Sequence, residues 1–138
     1  MHKLCALVLA GAAMLSLNAL AEEAKPTSER IFEMRTYYPA AGKMEAMHAR
    51  FRNHTNKLFV KHGMQLIGYW VPSEGANAGN VLIYILAYPN KESADKSWKA
   101  FREDPEWLKA KAESEVNGKL VDKVESVWMK PTDYSPIK

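Results

Sequence analysis

The chain has 138 residues, 47% of them hydrophobic and 25% charged, with 19 Lys+Arg against 16 Asp+Glu and a single Cys. That length fits one ordinary domain, and the balanced charge excludes a disordered or collagen-like polymer. A formal net charge of +3, evenly spread, excludes the basic stripe of a nucleic-acid-binding surface.

Residues 1–21 (MHKLCALVLAGAAMLSLNALA) carry Lys3 as their only formal charge, an apolar run over 4–17, and Ala19 and Ala21 flanking Leu20. This is the pattern of a cleaved secretory signal, and the run is shorter than the ~20 apolar residues of a membrane span. Cleavage after Ala21 is expected, giving a periplasmic or secreted protein with no membrane attachment. It leaves 117 residues with 18 basic and 16 acidic side chains, net +2. It also removes Cys5, which lies before the apolar run, where a lipidation site would have to follow it. The mature chain then has no disulfide and no thiolate for catalysis or metal binding.

Residues 22–30 form a polar leader ahead of a domain over 31–138. Residues 31–38 (IFEMRTYY) alternate β-branched and aromatic side chains and predict a strand, followed by a turn at Pro39-Ala40-Ala41-Gly42. Over 43–62, Met44, Met47, Phe51 and Leu58 fall on one stripe, which predicts an amphipathic helix about 30 Å long stopped by Gly63. Residues 65–71 (QLIGYWV) and 81–88 (VLIYILAY) predict two strands joined by a polar loop. Pro89-Asn90 opens a helix with Ala94, Ser97, Trp98 and Phe101 on one face. Asp104-Pro105-Glu106-Trp107 restarts a helix, with a capping Asp, a first-turn Pro and an acid near the positive dipole end. After Asn117-Gly118, residues 120–129 predict the last strand.

The order β-α-β-β-α-β predicts an α+β, ferredoxin-like sandwich with a four-stranded antiparallel sheet and both helices on one face. The first and third strands should be central, and their near-continuous apolar runs imply burial on both sides. Two helices cover one side only, so the other is expected to meet the sheet of a second copy, in a homodimer.

The Ala41-Gly42-Lys43 junction lacks the upstream Gly and the Ser/Thr of a phosphate loop. His48, His54 and His62 miss the three- or four-residue spacing that converges metal ligands on a helix, so no metal is expected. His62, on the buried stripe near the helix end, could meet the dipole or border a pocket. No G-x-S-x-G elbow and no G-x-G-x-x-G occurs.

In the first strand Glu33, Arg35 and Tyr37 share one face, and Phe32, Met34 and Thr36 the other. The apolar set is expected to face the helices and the polar set the second face, beside Tyr84 and Glu125. Two accounts remain open: a buried Arg–Glu pair that fixes dimer register, or a pocket where Arg35 orients an anionic or carbonyl group among tyrosines. Trp70, Trp98, Trp107 and Trp128 are expected in the core. Lys96, Lys99, Arg102, Lys109 and Lys111, interleaved with acids, read as a solvated face.

These residues together resemble the NIPSNAP family. The resemblance rests on F-E-M-R-T-Y (32–37), Gly42-Lys43, His62-Gly63 followed by Leu66-Ile67-Gly68-Tyr69-Trp70, Ala87-Tyr88, and R-E-D-P-E-W (102–107). It continues through Lys123-Val124-Glu125-Ser126 to the ending P-T-D-Y-S-P (131–136), spanning almost the whole mature chain. Ala41 departs from the family's usual Pro, and Tyr84 and Leu86 stand where many members carry His and Trp. The resemblance implies a dimeric α+β barrel built from ferredoxin-like domains, and no particular activity. No cofactor is expected. The leading expectation is an exported homodimer that binds a small organic ligand or a protein partner. The alternative is a cofactor-less monooxygenase- or isomerase-like enzyme with Arg35, Tyr37 and Tyr84 around its substrate.

Overall fold

A computed structural model describes residues 30–138; the expected signal (1–21) and nearly all of the polar leader (22–30) lie outside the described residues. Strand β1 (Ile31–Pro39) leads into a turn in which Gly42 takes φ +73°, a conformation that L side chains rarely adopt. The helix expected over 43–62 is interrupted. It runs as α1 (Met44–Arg50), a π-helical turn (Phe51–Thr55) and α2 (Asn56–Lys61).

The interruption follows from the spacing of the buried side chains. Met47, Phe51, Thr55 and Phe59 recur every fourth residue, and all four are buried. In a regular α-helix each such step drifts about 40° around the axis, so the row would leave the core face. One wide turn keeps it there. The Thr55 hydroxyl, donating to the Arg50 carbonyl at 3.3 Å, braces that turn.

Strands β2 (Gln65–Trp70) and β3 (Leu82–Tyr88) follow, then α3 (Lys91–Glu103), α4 (Pro105–Ser114) and β4 (Val121–Met129). The Asn90 side chain accepts from the Ser93 amide at 2.8 Å and caps α3, while Asp104 accepts from Glu106 and caps α4. The sheet order is β2-β3-β1-β4 with antiparallel pairing throughout. The architecture is therefore the expected α+β, ferredoxin-like one, with β1 and β3 in the centre.

A core of Met47, Phe51, Leu58, Phe59, Tyr84, Leu86, Trp98 and Phe101, among others, fills the space between helices and sheet. The exposed side of the helices carries Lys91–Asp95, Lys96–Glu92, Lys99–Glu103 and Lys109–Glu113 pairs one turn apart, the solvated face expected from the charge pattern.

The faces of β1 are opposite to the expectation. Glu33, Arg35 and Tyr37 point toward the helices: Glu33 bonds to Trp98 of α3, and Tyr37 packs edge-on against Phe51 of the π-turn. Phe32, Met34 and Thr36 lie on the other face, level with Ala87, Ile85 and Ile83 of β3. The polar set tolerates the interior because it finds its partners there. Part of the second face is covered by the chain's own end. Pro131, Thr132, Ser135 and Ile137 border a cavity of about 300 Å³ over Phe32, Ile67 and Ile85. Trp70 and Trp128 are exposed, contrary to the expectation of four core tryptophans, whereas Trp98 is buried and Trp107 packs against the core.

Candidate functional site between sheet and helices

Four of the six candidate residues meet between the sheet and the helices. Antiparallel register places Arg35 opposite Tyr84 on one side and Ser126 on the other. The Arg35 Nε donates to the Tyr84 hydroxyl at 3.0 Å, and its Nη1 pairs with Glu33 Oε1 at 2.6 Å. The guanidinium also lies 4.4 Å from the Trp98 ring centroid and 5.5 Å from that of Tyr37, a cation–π arrangement between two rings. Arg35 retains 18% side-chain exposure, so solvent reaches part of it.

The Glu33 carboxylate is saturated. Oε1 accepts from Arg35 and from the Ser126 hydroxyl at 2.7 Å; Oε2 accepts from Tyr88 at 2.8 Å and from Trp98 Nε1 at 2.7 Å. Burial raises its pKa, but the donors from Ser126, Arg35 and Tyr88 outweigh that and hold it below the usual carboxylate range. Burial likewise works against the Arg35 charge, and Tyr37, Tyr84 and Glu33 together reverse the effect, so Arg35 stays cationic.

Three tyrosines continue the cluster toward β2. Tyr37 meets Tyr84 edge-on at 5.2 Å, and Tyr84 stacks on Tyr69 at 5.3 Å with 21° between the planes. Burial pushes the Tyr84 and Tyr69 phenols well above their ordinary pKa, and Tyr37 adds to both shifts. Burial and then Glu33 do the same to Tyr88. These phenols are protonated at neutral pH. The Tyr69 hydroxyl is buried and has no hydrogen-bond partner in the protein, an arrangement that costs about 1–3 kcal/mol unless something else satisfies it.

Glu125 and His62 lie elsewhere. Glu125 pairs with Thr36 on the opposite face of the sheet, where it accepts from Tyr38 at 2.9 Å and sits beside Lys123. Lys123 and then Tyr38 lower its pKa. His62, at the end of α2, contacts Asp104 Oδ2 at 2.7 Å, and Lys61 reaches the same oxygen at 2.8 Å. That corner ties the end of α2 to the cap of α4.

The sequence reading missed Trp98, Tyr88, Ser126 and Tyr69 as members of the cluster. A signal existed for two of them. Trp98 and Tyr88 are polar-tipped aromatics on buried faces, and such groups require an acceptor; Glu33 is the acid within their reach. Among the described residues no group of His, Cys, Asp and Glu is placed to hold a metal ion, and no helix is long and apolar enough to cross a membrane.

Fold and register define a small ferredoxin-like domain with a polar cluster enclosed between its layers. The family model for NIPSNAP matches residues 32–136, so the chain belongs to the NIPSNAP family. A NIPSNAP family protein of unknown function from Agrobacterium tumefaciens is 22% identical with a TM-score of 0.69, over 80% of this chain and 96% of that one. An uncharacterized NIPSNAP domain protein from Burkholderia xenovorans is 23% identical with a TM-score of 0.65, over 77% and 98%. SnoaB, a cofactor-independent oxygenase from Streptomyces nogalater, shares the fold at 11% identity and a TM-score of 0.51, over 78% and 98%. No curated protein matches.

Proposed function

We propose that this chain is exported, cleaved after Ala21, and acts as a homodimer that holds a small organic ligand against the tyrosines between its sheet and helices. The observation that carries the binding reading is the protonation of the cluster. Tyr84, Tyr69 and Tyr88 are shifted upward, and Glu33 is both shifted downward and occupied by four donors. General-base catalysis near neutral pH needs a group poised close to that pH, and this cluster supplies donors instead. Donors orient a carbonyl, hydroxyl or carboxylate without abstracting a proton.

The dimer rests on the second face of the sheet. Met34, Ile83 and Ile85 are only half-buried there, and Val127 and Trp70 are exposed. A sheet with an apolar face calls for a covering layer. The likeness to SnoaB brings an enzyme reading as the alternative, with Arg35, Tyr37 and Tyr84 around a substrate.

Native mass spectrometry of the protein purified from a periplasmic extract tests the proposal. The expected mass begins at Glu22, is doubled, and carries a small adduct. A bare monomer overturns the dimer, and a bare dimer overturns ligand retention in favour of a protein-interaction role. Turnover in a broad substrate screen, lost in Tyr37→Phe, moves the assignment to the enzyme reading.

A further inference from the structure

The cavity on the second face of the sheet, about 300 Å³ in volume, takes one apolar side chain from every strand: Phe32 from β1, Ile67 from β2, Ile85 from β3 and Met129 from β4. Its other wall is the end of the chain, residues 131–138. Pro131 has no amide with which to continue the β4 ladder. The Ser135 amide donates to the Thr132 carbonyl at 3.1 Å and the Ser135 hydroxyl to the Ile137 carbonyl at 2.7 Å, so the segment closes on itself. Arg30 holds its far end, donating both to the Lys138 carbonyl oxygen and to the Gln65 side chain of β2. The segment is thus a strap, fastened to β4 at one edge of the sheet and through Arg30 to β2 at the other. It does not fill the space it spans. Tyr134, its largest side chain, is 83% exposed, and Ile137 is half-exposed.

We propose that the space beneath the strap is a binding site for a medium-chain carboxylic acid, its straight alkyl chain lying across the strands and its carboxylate at Lys130. The site lies across the sheet from the tyrosine cluster and is independent of it. Hydrocarbon suits the walls, because they are apolar and none of the buried unpaired polar atoms lies there. An extended shape suits them too: from β4 to β2 is three strand spacings, about 14 Å. A methylene fills about the volume of a water molecule, roughly 30 Å³, so the cavity holds on the order of ten carbons. The head is set by charge. Lys109, Lys119 and Lys123 each pair with an acid, whereas Lys130, exposed at the rim beside Thr132, pairs with none among the described residues. A carboxylate left at that rim avoids the cost of burying its charge. The apolar residues open to a second copy, Met34, Ile83, Val127 and Trp70, lie outside the cavity, so the site adjoins the proposed dimer contact and leaves it free.

The test is isothermal titration calorimetry with the sodium salts of hexanoic, octanoic, decanoic and dodecanoic acid, each below its micelle concentration. The expected result is one molecule per chain, with affinity rising about two- to fourfold per methylene up to roughly ten carbons and no further. Ile137→Asp sets a like charge against the alkyl chain and should abolish binding. Lys130→Glu should weaken it roughly three- to tenfold, the loss of an exposed ion pair plus repulsion, and Lys109→Gln on α4 should leave it unchanged. All three positions are exposed, and thermal melts confirm that each variant folds. Affinity that keeps rising past ten carbons marks adsorption to the surface and overturns the site, as does the absence of saturable binding. Binding that weakens as protein concentration rises shows a second copy filling the cavity and overturns it as well. Binding that survives Ile137→Asp also overturns it, and if Arg35→Lys then abolishes that binding, the carboxylate sits on the guanidinium between sheet and helices. The adduct sought by native mass spectrometry decides separately whether the tyrosine cluster holds a ligand.

Discussion

Two polar regions lie side by side in one interior layer and obey opposite rules. Around Glu33 every acceptor is matched: Arg35, Ser126, Tyr88 and Trp98 all donate to a single carboxylate. Around Tyr69 and Asn56 two buried polar atoms are matched by nothing in the protein. The first arrangement specifies how β1, β3, β4 and α3 fit together, because β3, β4 and α3 each contribute one donor and β1 both the acceptor and the Arg35 donor. The second leaves two desolvated polar atoms, each costing about 1–3 kcal/mol, that the surrounding packing offsets. Full pairing thus marks the region that specifies the fold, and unpaired atoms mark a region that can lose a polar group at little cost.

Removing the Glu33 carboxylate tests the first half of that contrast and carries the largest expected effect. Glu33→Ala leaves Arg35 without its counter-ion and strands the Tyr88, Trp98 and Ser126 donors. Breaking a buried pair in this way costs about 3–5 kcal/mol, read as a lower midpoint in urea denaturation. A loss under about 1 kcal/mol would show that water satisfies the donors, and the structural role of the carboxylate would fall.

Tyr84→Phe is expected to cost less. It deletes the acceptor of the Arg35 Nε, a bond to a charged group worth about 1.5–3 kcal/mol, and Arg35 keeps Glu33 and the Trp98 face. The same denaturation series should rank it clearly between Glu33→Ala and wild type.

The corner of His62, Lys61 and Asp104 behaves as a second saturated region, and pH sharpens it. Lys61 and then His62 depress the pKa of Asp104 far below its ordinary value. A depressed carboxylate stabilises the fold above its unfolded pKa, and that contribution fades as pH falls through the folded value. Melting temperature should therefore drop as the solution is acidified from about pH 5 toward pH 2, with the low Glu33 pKa adding to the same limb. Asn retains capping ability at the start of α4. Asp104→Asn should consequently lower the melting temperature at neutral pH and flatten the acid limb, the two curves converging at low pH.

Much of this frame is legible in the residues. The turn at Gly42, the stop at Gly63, the caps at Asn90 and Asp104 and the four strands are local signals, and each stands where the sequence places it. The facing of β1 was not legible from alternation, because alternation weighs each residue by its own polarity. Glu33 and Arg35 are polar alone and satisfied together, and their partners lie 49 to 93 residues away. The π-turn was visible in principle, as a four-residue recurrence through Met47, Phe51, Thr55 and Phe59. Reading Met44, Met47, Phe51 and Leu58 as the stripe hid it, since those positions span 14 residues, four turns of an ordinary α-helix.

Tyr69→Phe tests the other half of the contrast and should change stability least. Deleting a hydroxyl from a buried tyrosine ordinarily removes a hydrogen bond and destabilises the protein. Here the oxygen has no protein partner, so the ligand-free protein loses no internal bond and sheds a desolvated polar atom. The ring remains, and with it the stacking on Tyr84 and the edge contact with Phe51 at 5.8 Å. The expected change in ligand-free unfolding free energy lies within about 0.5 kcal/mol of zero, on the stabilising side if anything. A destabilisation above about 1 kcal/mol without ligand would reveal a partner for Tyr69 inside the protein, and the contrast between the two regions would collapse into a single saturated network.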